Sequence, residues 1–559
     1  CCCCCCSCLS VDVVVFAMES CSLPGHLDAL VGGEVPSSER TAKRGRLSGP
    51  GDAAKEVGDK AKDVGLVLHG AAAARLVGEV SLAALETWVA SPGSDVEKAL
   101  RKAMRARHSE LWQAARAAIA RRVLGVAVLR GRLAHLLERE VGAGSGQDAE
   151  LLLELFIARE LPQILGNVGE LPEDWEAEPP SASARLGTAA AAAPLFRADE
   201  QPTAAVELAA TWSLPSWLAE RWVQELGSDT AFALGRAMTR PSRITLRANA
   251  LKTSRQELME RLAAAGVRSL PTSESPWGLW LPDGRPPGGG VWQLPGWSEG
   301  LFEVQDEGSQ LIALATEAQP GEHAVDYCAG RGGKTWLLTA LVAPHGKVLA
   351  WDVDGKLRQQ LRGSKAKGVG AADLVQVPED RPFVVARGSG EASAGTEDPE
   401  VAHAGIIEGV DVALVDAPCS SCGALRRHPS QRWALKESDV EQLQGVQLQV
   451  LQEASALVRP GGRLVYATCS LLHAENGAIA EAFEASALGQ DFEPWPFLRK
   501  DKGKDAQSEA AEVVDSAGPE DGPRRPAHHR MLLPHVEGTD GFFMARWRRR
   551  CTAAVDSAT

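Results

Sequence analysis

From about residue 300 the chain alternates short apolar runs with amphipathic ones, and no other feature limits its fold as strongly. "HAVDYCAG" leads to "KTWLLTALV", and "GKVLAWDVD" leads to "GKLRQQLRG". "ADLVQV" follows, then "VDVALVDAP", a predicted helix over 439–457, and "GRLVYATCS". "GTDGFFMARWRR" reads as a late strand that closes the sheet. Near-continuous apolar strands separated by helices belong to a parallel sheet covered on both faces. The expected fold class is therefore α/β, a mostly parallel, doubly wound, Rossmann-like sheet. Ligands of such sheets bind outside the carboxyl ends of the strands, where the strand order reverses.

Two of these apolar strands end alike. "LVDAPCSSCGALRRHP" (414–429) and "LVYATCSLL" (464–472) each finish on a cysteine followed by serine. At the carboxyl ends of neighbouring strands, Cys419 and Cys469 face one pocket, with Asp416 beside them. A thiolate is a strong nucleophile, although a thiol's ordinary pKa of roughly 8.5 must be lowered for the task. Carbon 5 of cytosine is a poor nucleophile. Thiolate addition at carbon 6 turns carbon 5 into an enamine-like centre, and an acid near ring nitrogen 3 stabilises the adduct. The carbon 5 proton must later leave so that the adduct can collapse. Two cysteines and an aspartate can divide those tasks.

A third stretch supplies the partner reagent. In "VDYCAGRGGKT" (325–335) a strand enters a glycine-rich turn and then a helix. Gly330, Gly332 and Gly333 permit close backbone approach to a ligand at a helix N-terminus. The next strand ends in Asp352, placed to hold a ribose diol. An ordinary tight turn with a solvated acid is the plain alternative. A phosphate-binding GxxxxGK[ST] loop is excluded because position 328 is Cys. A nicotinamide site leaves the cysteines unexplained. S-adenosyl-L-methionine fits better, having ribose and adenine but no pyrophosphate.

The motifs resemble one family. "DAPCS", "YATCS" and "DYCAGRGGKT", with "RRHPSQRW", "LFEVQDEGSQL", "RITLRANALKT" and the closing "GTDGFF", are similar to the RsmB/NOP/Sun group of RNA 5-methylcytosine methyltransferases. The resemblance covers about residues 210–550, and its bacterial RsmB-like branch comes nearest. It implies Cys469 as the nucleophile, Cys419 as the cysteine that helps release product, and Asp416 as the acid contacting the base. It implies cofactor contacts from Cys328, Ala329, Gly330, Arg331, Gly332, Gly333, Lys334, Asp352 and Asp416. A third cofactor acid is Asp380 or Glu379 of "VQVPEDR", which the alignment leaves open. Lys334 is expected to fix the loop or the active-site acid.

Two departures stand out. Arg331 occupies a position where the family carries Pro or Ala, and a long cation beside a sulfonium weakens binding unless it points to solvent or to RNA phosphate. Cys422 makes a C-x-x-C pair with Cys419, but a zinc site wants two further ligands and only His428 is close. No metal is expected.

Ahead of the α/β region the text divides further. Residues 1–65, opening on "CCCCCCSC", are read as disordered or as an unreliable N-terminus, with Met18 a candidate start. Residues 66–168 carry apolar positions at helical spacing and resemble, faintly, a NusB-like domain. Residues 169–205 form a linker. Residues 206–299 read as a small α+β module with a basic side, and 300–550 as the methyltransferase domain.

The net charge of −14 argues at first against nucleic acid. Yet 169–178, 388–411 and 505–521 together hold 17 acids and no Lys or Arg, which leaves the remainder near +3. Those stretches read as solvated loops. RNA contacts are expected from Arg243, Arg247, Arg426, Arg427 and His428, with small-subunit rRNA the favoured partner and tRNA next. Only six cysteines lie outside the opening cluster, so no disulfide framework is indicated. No apolar run reaches membrane-span length. A soluble intracellular monomer is expected, in cytoplasm, organelle or nucleolus. The rival reading is a non-catalytic RNA-binding ribosome-assembly factor that keeps the fold, for which Arg331 is the best support.

Overall fold

The computed structural model describes residues 71–91, 94–166, 186, 191–284, 290–364, 372–384, 406–407, 409–499, 512–513 and 526–551. The expectation for 1–65, most of the linker and most of the three acidic stretches lie outside them.

The helical region begins with α1 (Ala71–Val89), α2 (Val96–Ala106) and α3 (Gln113–Glu140). It continues with α4 (Ala149–Leu155), extended by a π-helical turn, Phe156–Glu160, into α5 (Leu161–Gly166). Asp95 caps α2 by accepting from the Glu97 and Lys98 amides, which satisfies two donors that have no intrahelical partner. The long helix α3 is the spine, with apolar residues such as Ile119, Val123, Val126 and Leu133 buried. Gly125 lets it approach the π-helical turn, since a Cβ there would stand 2.2 Å from the Phe156 ring.

Three further helices, α6 (Ala204–Trp212), α7 (Ser216–Leu226) and α8 (Ser228–Met238), pack round Trp222. Their apolar cluster also takes in Cys422, Leu425, Leu471 and Leu472, so these helices brace the cysteine-bearing loops. A four-stranded antiparallel sheet follows, from β1 (Ile244–Ala248), β2 (Leu270–Pro271), β3 (Gly278–Leu281) and β4 (Phe302–Val304), in the order β2-β3-β1-β4. Helix α9 (Arg255–Ala264) lies between β1 and β2 in the chain, started by a capping box of Ser254 and Glu257. Within "GVWQLPGW", which glycines and a proline flank, Val291–Gln293 form a 3₁₀ turn.

After α10 (Glu307–Leu314) comes the large sheet. Its strands are β5 (His323–Asp326), β6 (Lys347–Ala350), β7 (Val375–Gln376), β8 (Val410–Asp416), β9 (Val458–Thr468), β10 (Phe492–Pro494), β11 (His529–Leu532) and β12 (Phe542–Arg549). The order is β10-β12-β9-β8-β5-β6-β7, with β11 beside β12. Strands β7 to β9 run parallel with β5 and β6, while β12, a late strand of the sheet as the sequence predicts, is antiparallel to β9 and lies between it and the edge strand β10. Helices α11 (Gly333–Val342), α12 (Gly355–Ser364), α14 (Glu437–Leu457) and α15 (Gly477–Ala485), with the short α13 (Gln431–Ala434), make the crossovers and flanks. Every residue of β8 is buried, as a central strand covered on both faces requires. The strand order reverses between β5 and β8, and this places the candidate crevice at Asp326 and Asp416.

Candidate active site

The turn after β5 is shaped by glycine. Gly330 and Gly332 have φ of 55° and 89°, the left-handed region. The Gly332 amide donates to Ala329 O at 2.8 Å, and Gly332 then opens α11. A Cβ on Gly332 would meet Leu361 Cδ2 at 2.5 Å. Asp352, just past β6, accepts from the Gly330 amide at 2.9 Å and from the Asp354 amide at 2.9 Å. Cys328 is half-buried. Arg331 is exposed to solvent, which removes the objection that its cation crowds a sulfonium. Glu379 and Asp380 are both exposed, and Glu379 pairs with Arg362 and Arg358 on α12.

Asp326 was not singled out from the sequence. It is fully buried, and Thr335 Oγ1 donates to its Oδ2 at 2.7 Å. Its Oδ1 is buried with no hydrogen-bond partner among the described residues. Burial pushes the Asp326 carboxyl up to about 7, against the Thr335 hydrogen bond. Its signal in the sequence was the strand-terminal acid of "AVDYC". An unsatisfied buried acceptor, a glycine cradle and a ribose-compatible acid form a donor and acceptor set that fits S-adenosyl-L-methionine. Gly332→Ala should weaken binding of that cofactor by at least about tenfold in calorimetry, since strain at φ of 89° adds to the clash with Leu361. Unchanged affinity would place the cofactor elsewhere.

At the ends of β8 and β9 the two cysteine loops meet. Cys419 and Cys469 are both buried, and their sulfurs stand 3.3 Å apart, beyond the ~2.05 Å of a disulfide. The serines that follow them also meet, with the Ser420 and Ser470 hydroxyls 3.3 Å apart. Beside them Lys334 Nζ lies 2.6 Å from Asp416 Oδ2, both groups buried. The Lys334 ammonium therefore holds the Asp416 carboxylate in place. Cys422 turns away, its sulfur toward Ser470 Oγ at 3.4 Å and the Leu471 amide at 3.1 Å, and burial raises its thiol to about 11. A backbone link fastens the loops from below: the Gly423 amide donates to Cys469 O at 2.9 Å, and the Gly541 amide to Gly423 O at 2.8 Å. A Cβ on Gly423 would stand 2.3 Å from Gly541 O, so that close approach requires glycine.

The expected RNA-contacting residues separate. Arg243 is exposed and stacks over Trp280, 4.6 Å from the ring centroid. Arg426, Arg427 and Arg247 are not on an open basic surface. Arg426 Nε is 2.6 Å from Asp540 Oδ1 and its other arm reaches Gly538 O. Arg427 bridges Asp540 and Asp306, the latter at 2.8 Å. Arg247 binds Glu303 at 2.8 Å and Gly333 O at 2.6 Å, steadying the start of α11 from the four-stranded sheet. Freeing such a buried guanidinium for a phosphate costs about 3–5 kcal/mol per broken pair. His428 is half-buried, and burial, with Arg427 nearby, lowers its pKa, so it is neutral at physiological pH. The basic run at 546–550 is mostly structural: Arg546 is buried against Trp495 and Phe497, and Arg549 pairs with Asp491.

One more arginine escaped the sequence reading. Arg432, in α13, is fully buried with no carboxylate paired to it among the described residues. It donates to Val128 O at 2.9 Å, Ser213 O at 3.1 Å and Met238 O at 2.9 Å, while Trp433 Nε1 donates to Ala127 O at 2.7 Å. The polypeptide leading from Cys419 is thus anchored on α3 and α8.

A Rossmann-like sheet with a glycine cradle and paired cysteines at its switch point defines a class I methyltransferase. The family described as 16S rRNA methyltransferase RsmB/F matches residues 313–548, and the ferredoxin-like domain of RsmF/B-like methyltransferases matches 214–286. Similar chains include the probable ribosomal RNA small subunit methyltransferase B of Synechocystis sp., 31% identical over 350 residues (62% of this chain, 68% of that protein). The ribosomal RNA small subunit methyltransferase B of Xylella fastidiosa is 34% identical over 352 residues (63% and 72%). The crystal structure of PH0851 has the same fold, with TM-score 0.59 and 23% identity over 85% of this chain and 98% of that one. The chain belongs to the RsmB/NOP/Sun family, and its cofactor is S-adenosyl-L-methionine. No helix among the described residues is long and apolar enough to cross a membrane.

Proposed function

We propose that this protein methylates carbon 5 of a cytosine in small-subunit rRNA through a covalent cysteine adduct. The observation that carries the reading is the meeting of two sulfurs at 3.3 Å beside the Lys334–Asp416 pair. When bound, S-adenosyl-L-methionine supplies an electrophilic methyl group, and Ala329 to Lys334, Asp326 and Asp352 are the residues to hold it.

The remaining work falls to this chain's side chains. The Cys469 thiolate adds to carbon 6 of the ring, and the electron pair of the 5,6 double bond moves to carbon 5. Asp416, oriented by Lys334, holds a proton at ring nitrogen 3 and so stabilises the charge that develops there. After methylation the Cys419 thiolate accepts the proton from carbon 5 and becomes the thiol. The carbon 5–carbon 6 double bond re-forms as the carbon 6–sulfur bond breaks, and the Cys469 thiolate is regenerated. Both faces of the base must be reachable, so the target nucleotide is single-stranded or flipped out, at a cost of a few kcal/mol if stacked. Arg243 on Trp280 and the exposed Arg331 are among the cations placed to meet RNA phosphate.

The test offers the protein methyl-labelled cofactor with small ribosomal subunits, naked small-subunit rRNA or tRNA, and then sequences bisulfite-treated RNA. One newly protected cytosine in the small-subunit rRNA is expected. Label in another base, or in tRNA alone, would overturn the assignment.

A further inference from the structure

Glu475 joins the two cysteine loops, and the chemistry above makes no use of it. It is fully buried, in the 3₁₀ turn His473–Glu475 a few residues past Cys469. Its Oε1 accepts from the Ser420 amide at 2.7 Å and from Gln447 Nε2 at 3.0 Å, and its Oε2 accepts from the Ser420 hydroxyl. Among the described residues its hydrogen-bond partners include no Lys, Arg or His. Burying a carboxylate without a cation is costly unless several donors converge on it. Here two of the donors belong to one residue, the neighbour of Cys419.

The surroundings extend the same grip. Gln447 Nε2 also donates to Pro418 O at 2.9 Å, and Gln431 Nε2 donates to Ser420 O at 3.1 Å. The peptide groups on both sides of Cys419 are therefore held, and Glu475 with Gln447 supplies most of the hold. Through Ser420 Oγ the network reaches Ser470, the neighbour of Cys469. This is a physical account of why each cysteine is followed by serine.

We propose that Glu475 is a positioning residue that keeps Cys419 in register with Cys469, so that the second cysteine can release the product. The inference rests on the cysteine roles given under the proposed function. A misplacement of about 1 Å at a reacting group can cost on the order of 100-fold in rate, so such a clamp has large leverage.

The test compares Glu475→Ala and Glu475→Gln with Cys419→Ser and Cys469→Ser, using the full chain. The first readout needs no RNA: alkylation of Cys419 and Cys469 by iodoacetamide across pH, followed by mass spectrometry. Glu475→Ala should change the Cys419 rate by roughly tenfold and leave Cys469 within about twofold. Glu475→Gln keeps one acceptor oxygen for the Ser420 amide but presents an NH₂ group to its hydroxyl, and should shift the Cys419 rate in the same direction by about twofold to threefold. Equal changes at both cysteines, or none at Cys419, overturn the proposal. The second readout is the fraction of chain held on RNA in denaturing gels. It should rise toward that of Cys419→Ser, while kcat falls roughly tenfold and KM for RNA stays within about twofold. A fall in kcat with no trapped adduct overturns it. If Cys419→Ser itself traps nothing, the cysteine roles fail, and the alkylation rates still decide whether Glu475 positions Cys419. If Glu475→Ala does not fold, Glu475→Gln alone decides, and wild-type behaviour in both readouts overturns the proposal.

Discussion

Cys469→Ser should abolish methyl transfer, and Cys419→Ser should leave the protein trapped on RNA. The two outcomes differ because the two sulfurs, 3.3 Å apart, are assigned different steps. Without the Cys469 thiolate no addition occurs at carbon 6, carbon 5 stays a poor nucleophile, and turnover falls to background. Without Cys419 the addition still proceeds, but loss of the carbon 5 proton stalls and the carbon 6–sulfur bond persists. Denaturing gels read this directly: a retarded protein–RNA band for Cys419→Ser, none for Cys469→Ser and none for the double variant. Methyl transfer surviving in Cys469→Ser would overturn the assignment of the nucleophile. A band that requires Cys419 and not Cys469 would exchange the roles.

Lys334→Met should cost both stability and methyl transfer. It removes the counter-charge from Asp416 while leaving the acid 8% exposed. Breaking a buried pair in this way costs about 3–5 kcal/mol, because the surviving charge has no partner. Urea unfolding should show the loss. Lys334→Met combined with Asp416→Asn should regain most of the stability, since neither charge is then stranded, yet stay inactive for want of an acid at ring nitrogen 3. If the single variant unfolds at the wild-type midpoint, the pair does not carry the stability assigned to it. If the double variant turns over, Asp416 has no part in the chemistry.

Much of this site could be read before any coordinates. The Cys419 and Cys469 strands were near-continuous apolar runs, which fix their place in a covered parallel sheet. Neighbouring parallel strands end on the same side, so the two sulfurs had to meet. For Lys334 the resemblance left two roles open, fixing the loop or fixing the acid, and the structure places its ammonium on Asp416. What escaped depended on partners distant in the chain. Arg426 and Arg427 looked like an RNA surface because Asp540 lies more than a hundred residues away and Asp306 as far on the other side. Arg247 was misjudged for the same reason, its carboxylate being Glu303. Arg432 gave no signal at all, since its acceptors are main-chain carbonyls, which every residue has. Glu475 carries no signal in the sequence, since only the tertiary structure brings Ser420 to it.

The main-chain link from Gly541 to Gly423 and on to Cys469 has a consequence for how the protein is made. Strand β12 must insert between β9 and β10 before that link exists, and β12 is translated long after both cysteines. A chain still emerging from the ribosome therefore carries both thiols without the clasp beneath them. The two cysteine loops therefore take their final seating only after the last strand of the sheet has been added.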